Sequence, residues 1–257
     1  MYDFAAFTEL ATWVSLLTLT LMEIVLGIDN IIFISIMVSR LPSEQQARGR
    51  TIGLLLALVF RVALLLSISW IVGLRAPLFE LPLAWLSEPL AVSGRDLILL
   101  VGGLFLLYKS TTEIHNKLQG EEEQEAQGGR VNLSQVVLQI VLIDLVFSFD
   151  SVLTAVGLVD NVLVMIVAVL VSMGVMLAFS GVVSDFVNRN PTIKILALSF
   201  LILIGVMLVM EAAHQEIEKG YLYFAMAFSL IVEMVNIRMR RKSKAGPVHL
   251  HEPYYKP

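Results

Sequence analysis

An all-α, polytopic membrane bundle of seven transmembrane helices is the fold class this sequence predicts, and three observations predict it. The 257 residues are 57% hydrophobic and 16% charged, with a mean hydropathy of +0.82, far from the balance of a soluble chain of that length. The apolar residues fall into separate runs of about 20 or more, the length a helix needs to cross a hydrocarbon core, whereas a membrane β-strand needs only ~10 alternating residues. An acidic motif placed inside one such run returns 121 positions later inside another. The first copy is Glu23-Ile-Val-Leu-Gly-Ile-Asp29-Asn30-Ile-Ile-Phe33; the second is Asp144-Leu-Val-Phe-Ser-Phe-Asp150-Ser151. Glu23 matches Asp144, and Asp29 matches Asp150.

Span one is expected over residues 11–38, which as a straight helix would be about 42 Å long against a core of about 30 Å, so it must tilt, protrude or break. Gly27, followed by Ile-Asp-Asn, is a candidate break because these residue types tolerate non-helical dihedrals. Ser43 is expected to N-cap span two, which runs over 51–74 with Arg61 near its centre. Residues 75–94, with Pro77, Pro82, Pro89 and Trp85, read as an interfacial loop. Span three follows over 96–112. The stretch 113–132, with Glu121-Glu-Glu-Gln-Glu and a Gly pair, reads as a polar linker. Span four covers 133–159, Asp160-Asn161 turns the chain into span five, which ends near Val183, and 185–191 is a polar loop. Spans six and seven are expected over 193–212 and 221–237, before a basic tail at 238–257.

Domain organisation follows from the repeated motif. Residues 1–112 form a first three-helix repeat, 113–132 an acidic linker, 133–212 a second repeat, 213–237 an accessory helix and 238–257 the tail. Three spans per repeat is an odd number, so the second enters the bilayer from the opposite side and the repeats are inverted, as in many secondary transporters. Gly53 and Gly174 share the 121-residue offset. One side of the bundle holds Arg75, Arg95 and Lys219, three in all, and the other holds fourteen Lys and Arg, six of them in the tail. The positive-inside rule then sets the N-terminus outside and the C-terminus in the cytoplasm.

An ionisable residue at membrane depth costs roughly 2.5–3.5 kcal/mol on insertion scales, so four carboxylates need an offsetting partner. On an ideal helix Glu23 and Asn30, seven apart, nearly share a face, while Glu23 and Asp29, six apart, do not. The same holds for Asp144, Ser151 and Asp150. Local unwinding at Gly27 and Ser148 would aim all six at one point, giving the candidate metal ligands Glu23, Asp29, Asn30, Asp144, Asp150 and Ser151. These are hard oxygen donors, suited to Mn²⁺, Mg²⁺ or Ca²⁺. Met22 could add a softer ligand. Arg61 is expected to be the counter-ion that stands in when the site is empty. The competing reading is that the acids pair with Arg61 and hydroxyls to hold the bundle together, but one arginine cannot neutralise four carboxylates.

The remaining polar residues carry weaker signals. Glu211, His214, Glu233 and Asn236 lie near span ends, where snorkelling satisfies them. Glu113 and His115 border the linker, and His249, His251 and Glu252 form a crude metal-binding tail that reads more simply as a flexible terminus. The absence of cysteine removes disulfides, thiolate ligands and Cys nucleophiles. The N-terminus lacks the basic region of a cleavable signal peptide. No Ser, His or Cys arrangement in the spans pairs a nucleophile with a base, so no enzyme activity and no cofactor are expected, nor any nucleic-acid partner. The sequence names no protein partner beyond the lipid bilayer.

The two motifs, in this order and at this separation on spans one and four, resemble the paired signatures of the TerC family of bacterial integral membrane proteins, with a likeness covering about residues 10–240. The resemblance implies residence in the bacterial inner membrane and transport of divalent metal, chiefly manganese export. It also implies kinship with wider cation-exchanger families built on paired acidic motifs. The expected function is therefore secondary, proton-coupled export of Mn²⁺. The alternative is a scaffold for a metal or tellurium stress-response complex.

Overall fold

The computed structural model describes residues 5–81, 90–119, 132–159, 161–215 and 217–242. Pro82, Trp85, Pro89, the acidic run at 121–125, Asp160 and the tail with His249, His251 and Glu252 lie outside the described residues, as do the side chains of Ile28 and Asp29. After a short 3₁₀ turn at Ala5–Thr8 come α1 (Leu10–Val38), α2 (Ser43–Leu66) and α3 (Ile68–Gly73). Strands β1 (Pro77–Leu81) and β2 (Leu90–Ser93) lead to α4 (Gly94–Gln119). Then follow α5 (Leu133–Leu158), α6 (Val162–Arg189), α7 (Pro191–Ala212) and α8 (Lys219–Lys242). Seven of these helices are long and apolar enough to cross a membrane: α1, α2, α4, α5, α6, α7 and α8.

Local chemistry explains the boundaries, and in several places moves them from where the sequence put them. Pro42, with its missing N–H, precedes the first turn of α2, so Ser43 is the first helical residue and makes no capping bond. Span two bends at Ser67, which separates α2 from α3. The expected loop at 75–94 instead contains an antiparallel pair, Pro77 opposite Ser93 and Leu81 opposite Leu90. Ser93 closes that ribbon by starting α4: its N–H and hydroxyl donate to Asp96 Oδ2 at 2.9 and 2.6 Å, and Asp96 N–H donates back to Ser93 Oγ at 3.2 Å. This is a reciprocal capping box with Asp in the third helical position. The polar ends of spans three, five and seven remain helical beyond their apolar runs, to Gln119, Arg189 and Lys242. Asn132 and Asn161 cap α5 and α6 by accepting from the N–H groups of Ser134 and Leu163.

The helices interlock rather than stack in sequence order. The main contacts are α1 on α6, α2 on α5 and α4 on α7, with α2 also on α6 and α1 on α5. The apolar core is concentrated where α1 and α5 meet α2, α6 and α7: Phe33, Ile36, Met37, Leu54, Ile140 and Met173 are almost fully buried. Helix α8 packs chiefly on α7 and is the least buried of the seven. Helix α1 runs unbroken through Gly27 and α5 through Ser148, so the expected unwinding at these positions is not present. Gly27 has a packing role instead: a Cβ there would lie 2.3 Å from Sδ of Met176, so α6 approaches α1 over a residue with no side chain. Helices α4 and α7 meet backbone to backbone, since a Cβ on Gly103 would stand 2.7 Å from the carbonyl oxygen of Gly205.

Candidate metal-ion site at the centre of the bundle

Because α1 and α5 stay helical, their polar residues sort by face. Glu23 and Asn30 project from one side of α1; Asp144, Ser148 and Ser151, spaced four and three apart, line one side of α5. Between them Arg61 reaches in from α2. Its Nη1 donates to Glu23 Oε2 at 2.7 Å, its Nη2 to Asp144 Oδ1 at 3.0 Å and its Nε to Ser148 Oγ at 2.9 Å. The Ser148 hydroxyl in turn donates a hydrogen bond to Asp144 Oδ2 at 3.0 Å, and Asn30 Nδ2 donates to Asp144 Oδ1 at 3.3 Å. Ser151 turns back on its own helix, its hydroxyl donating to the carbonyl oxygen of Ser148 at 3.3 Å. Arg61, Glu23 and Asp144 are 2%, 6% and 5% exposed, so the network is dry, and its hydrogen bonds are of the strong, charge-assisted kind.

Arg61 thus pairs with Glu23 and Asp144, and of the six expected ligands Glu23, Asn30, Asp144 and Ser151 lie on this face of the bundle. Asp150 is set apart from the Arg61 cluster. Six residues from Asp144 it points off the Arg61 face, and it has its own partner, Lys219 at the start of α8, with Nζ 2.5 Å from Oδ2. Two cations, Arg61 and Lys219, therefore pair with the three described carboxylates. Asp29 belongs to α1, and its side chain lies outside the described residues. Among the described residues no three Asp, Glu or His side chains converge closely enough to hold a metal ion as they stand.

What they do surround is a cavity of about 40 Å³, lined by Glu23, Asn30, Arg61, Asp150 and Ser151 together with Met207 and Tyr223. That volume exceeds the ~10–15 Å³ one water requires and suits a single small ion with little of its hydration shell. Asn30 Oδ1, in a residue 6% exposed, has no hydrogen-bond partner. A buried amide oxygen without a donor costs about 1–3 kcal/mol, and a cation in the cavity would satisfy it. If all three described carboxylates are ionised, they exceed Arg61 and Lys219 by one negative charge. Met22 is not among the lining residues; the thioether at the cavity is that of Met207 on α7.

Several participants escaped the sequence. Ser148 was legible, since four residues after Asp144 it must share that face, whereas Lys219, Met207 and Tyr223 come from helices that only tertiary packing brings to the cavity. The weaker candidates are ties between helices. Glu211 pairs with Arg95, and His214 Nε2 lies 3.1 Å from Asp96 Oδ2, binding the end of α7 to the start of α4; His214 sits at φ 57° to do so. Glu113 is fully buried in α4 and paired with Arg40 at 2.7 Å, with Lys109 at 3.7 Å, so it is a structural acid and no part of a solvated linker. His115 is exposed on α4. Glu233 and Asn236 line a separate cavity of about 340 Å³ with Thr192 and Met239.

Comparison with known proteins agrees with this architecture. The family model described as Integral membrane protein TerC family matches residues 8–245. A UPF0053 protein of Haemophilus influenzae is 49% identical over 245 residues, covering 95% of this chain and all of the relative. The UPF0053 inner membrane protein YgdQ of Escherichia coli is 48% identical over 243 residues, 93% of this chain and 98% of the relative. A longer Escherichia coli relative, the UPF0053 inner membrane protein YoaE, is 48% identical over 230 residues, which is 89% of this chain and 43% of that protein. No solved structure matches the chain. This chain, with seven membrane-length helices and a family match over nearly its whole length, is a multi-pass integral membrane protein of the TerC family.

Proposed function

We propose that this protein is a secondary transporter of divalent metal cations, with Mn²⁺ exported from the cytoplasm across the bacterial inner membrane in exchange for protons. The observation that carries the reading is the cavity lined by the carboxylates of Glu23 and Asp150, where Asn30 presents an unpartnered oxygen. Such groups are costly at membrane depth and mark ion pathways. The oxygen donors of Glu23, Asn30, Asp144, Asp150 and Ser151 suit a hard cation, and one thioether at Met207 favours Mn²⁺ over Mg²⁺. Asp29 belongs to the proposed ligand set by its matching position in the repeated motif. Arg61 holds the site in the absence of metal, and the carboxylates carry protons on the return step.

The helix pairing supports inverted repeats. Exchanging α1, α2 and α4 for α5, α6 and α7 turns the α1–α6 contact into the α5–α2 contact and leaves α4–α7, α1–α5 and α2–α6 unchanged, and all of these are made. The acidic residues of both repeats then meet at the interface, where transporters of this kind bind their substrates. The inner-membrane assignment follows the names of the relatives, and the N-out orientation follows the distribution of Lys and Arg.

The scaffold reading draws on a specific observation too, because every described carboxylate of the site already has a cation or hydroxyl partner. Cellular manganese separates the two. Cells lacking the gene should accumulate Mn²⁺ and become more sensitive to it than to Zn²⁺ or Cu²⁺. Restoring the gene should reverse this, and well-expressed Glu23→Gln or Asp150→Asn variants should not. Unchanged Mn²⁺ content in the deletion strain, with other exporters removed, would leave the scaffold standing.

A further inference from the structure

Two cations pair with carboxylates of the site, and they are held very differently. Arg61 sits on a core helix at 2% exposure with three hydrogen bonds, so withdrawing it would strand a guanidinium in a dry interior. Lys219 is the first residue of α8, the least buried helix. Its Nζ lies 2.5 Å from Asp150 Oδ2 and 3.4 Å from Thr154 Oγ1, and the two side chains of the ion pair are 28% and 15% exposed. The next turn of α8 supplies Leu222 and Tyr223 to the cavity wall, and Asp150 lies on the same wall. One short segment of a peripheral helix thus both lines the cavity and neutralises its outlying carboxylate.

We propose that Lys219 is a tethered cation that occupies Asp150 while the site is empty and that an incoming divalent ion must displace it, so that Lys219 sets the affinity of the site. The inference rests on the reading of the cavity as a divalent-cation site. An ammonium on a flexible four-carbon stem is a compact point charge that can swing from a carboxylate into water, which a guanidinium locked by three bonds cannot. Two positive charges at Asp150 would repel, so ammonium and metal ion exclude one another. When the binding-competent form is only fractionally populated, apparent affinity falls by that fraction, so a lysine bound about nine-tenths of the time weakens metal binding about tenfold.

The test is Mn²⁺ affinity of the purified full-length protein, read from the paramagnetic resonance signal of free Mn²⁺, for the parent, Lys219→Met and Lys219→Arg. The Met variant should bind about tenfold more tightly while Lys219→Arg, which keeps the charge, stays at or below the parent affinity. Lys219→Gln replaces the Met variant should the latter lose monodispersity. Parent-like or weaker binding by the uncharged variants, with the parent binding Mn²⁺ normally, would overturn the tether and leave the transport reading intact. No Mn²⁺ binding by any of the proteins would overturn the transport reading and the tether together.

Discussion

At the scale of single residues, the bundle treats its two site cations as unequal, and stability should show it. Removing Arg61 leaves Glu23 and Asp144 buried without a charge partner, a loss of the kind that costs about 3–5 kcal/mol. Arg61→Met should therefore lower the melting temperature in detergent sharply. Lys219→Met, at a site about a quarter exposed, should change it little, since pairs open to solvent contribute only about 0–1 kcal/mol. Equal melting temperatures for the two variants would mean that the Arg61 network is not the buried keystone described above. Asn30 provides a second residue-level prediction, because its Oδ1 has no protein donor to lose. Asn30→Ala gives up the buried bond from Nδ2 to Asp144 Oδ1 and should cost about 1–3 kcal/mol of stability while weakening Mn²⁺ binding by about 10- to 100-fold, the range seen when a group supporting a metal site is removed. Undiminished affinity in equilibrium dialysis would take Asn30 out of the ligand set.

At the scale of elements, three glycines distinguish contact from coincidence. Gly103 faces the backbone of Gly205, and a carbonyl cannot step aside, so Gly103→Ala must spread α4 from α7 at a cost of about 1–3 kcal/mol. Gly27 faces the flexible end of Met176, which can find another rotamer, so Gly27→Ala should cost less. Gly174 has nothing within 4 Å of an added Cβ, and Gly174→Ala in the middle of α6 should be neutral or stabilising by up to about 1 kcal/mol. Thermal unfolding of the three purified variants should rank them in that order. A reversed ranking would disprove the close α4–α7 crossing. The comparison also bears on the repeat: Gly53 touches Ile140 on α5 while its counterpart Gly174 faces open space, so the two halves differ in packing detail.

For the molecule as a whole, the unequal distribution of Lys and Arg predicts topology. Reporters fused near Gln124 and after Lys244 should lie in the cytoplasm, and one inserted near Trp85 should lie outside. A cytoplasmic signal at Trp85 would be incompatible with the proposed orientation. That orientation places the Arg95–Glu211 and Asp96–His214 ties, with Lys219, at the external end, and the Arg40–Glu113 pair at the cytoplasmic end. The central cavity is thus bracketed by ionic contacts on both sides.

Seven apolar runs, their order and the pairing of Glu23 with Asp144 are properties of the sequence, because hydrocarbon admits few structures other than helices and tolerates few carboxylates. The same applies to the shared face of Glu23 and Asn30, and of Asp144 and Ser151, which follows from 3.6 residues per turn. The extent of the helices was less legible, since polar ends such as 113–119 and 184–189 look like loops until Glu113 is seen paired with Arg40 in the interior. Only the tertiary structure decided that α1 and α5 stay unbroken, that Gly27 makes room for Met176, and that Asp150 answers to Lys219 and not to Arg61. The physical reason is that one helix fixes the direction of its own side chains, while a partner from a helix 69 residues away in sequence becomes a neighbour only once the bundle has packed.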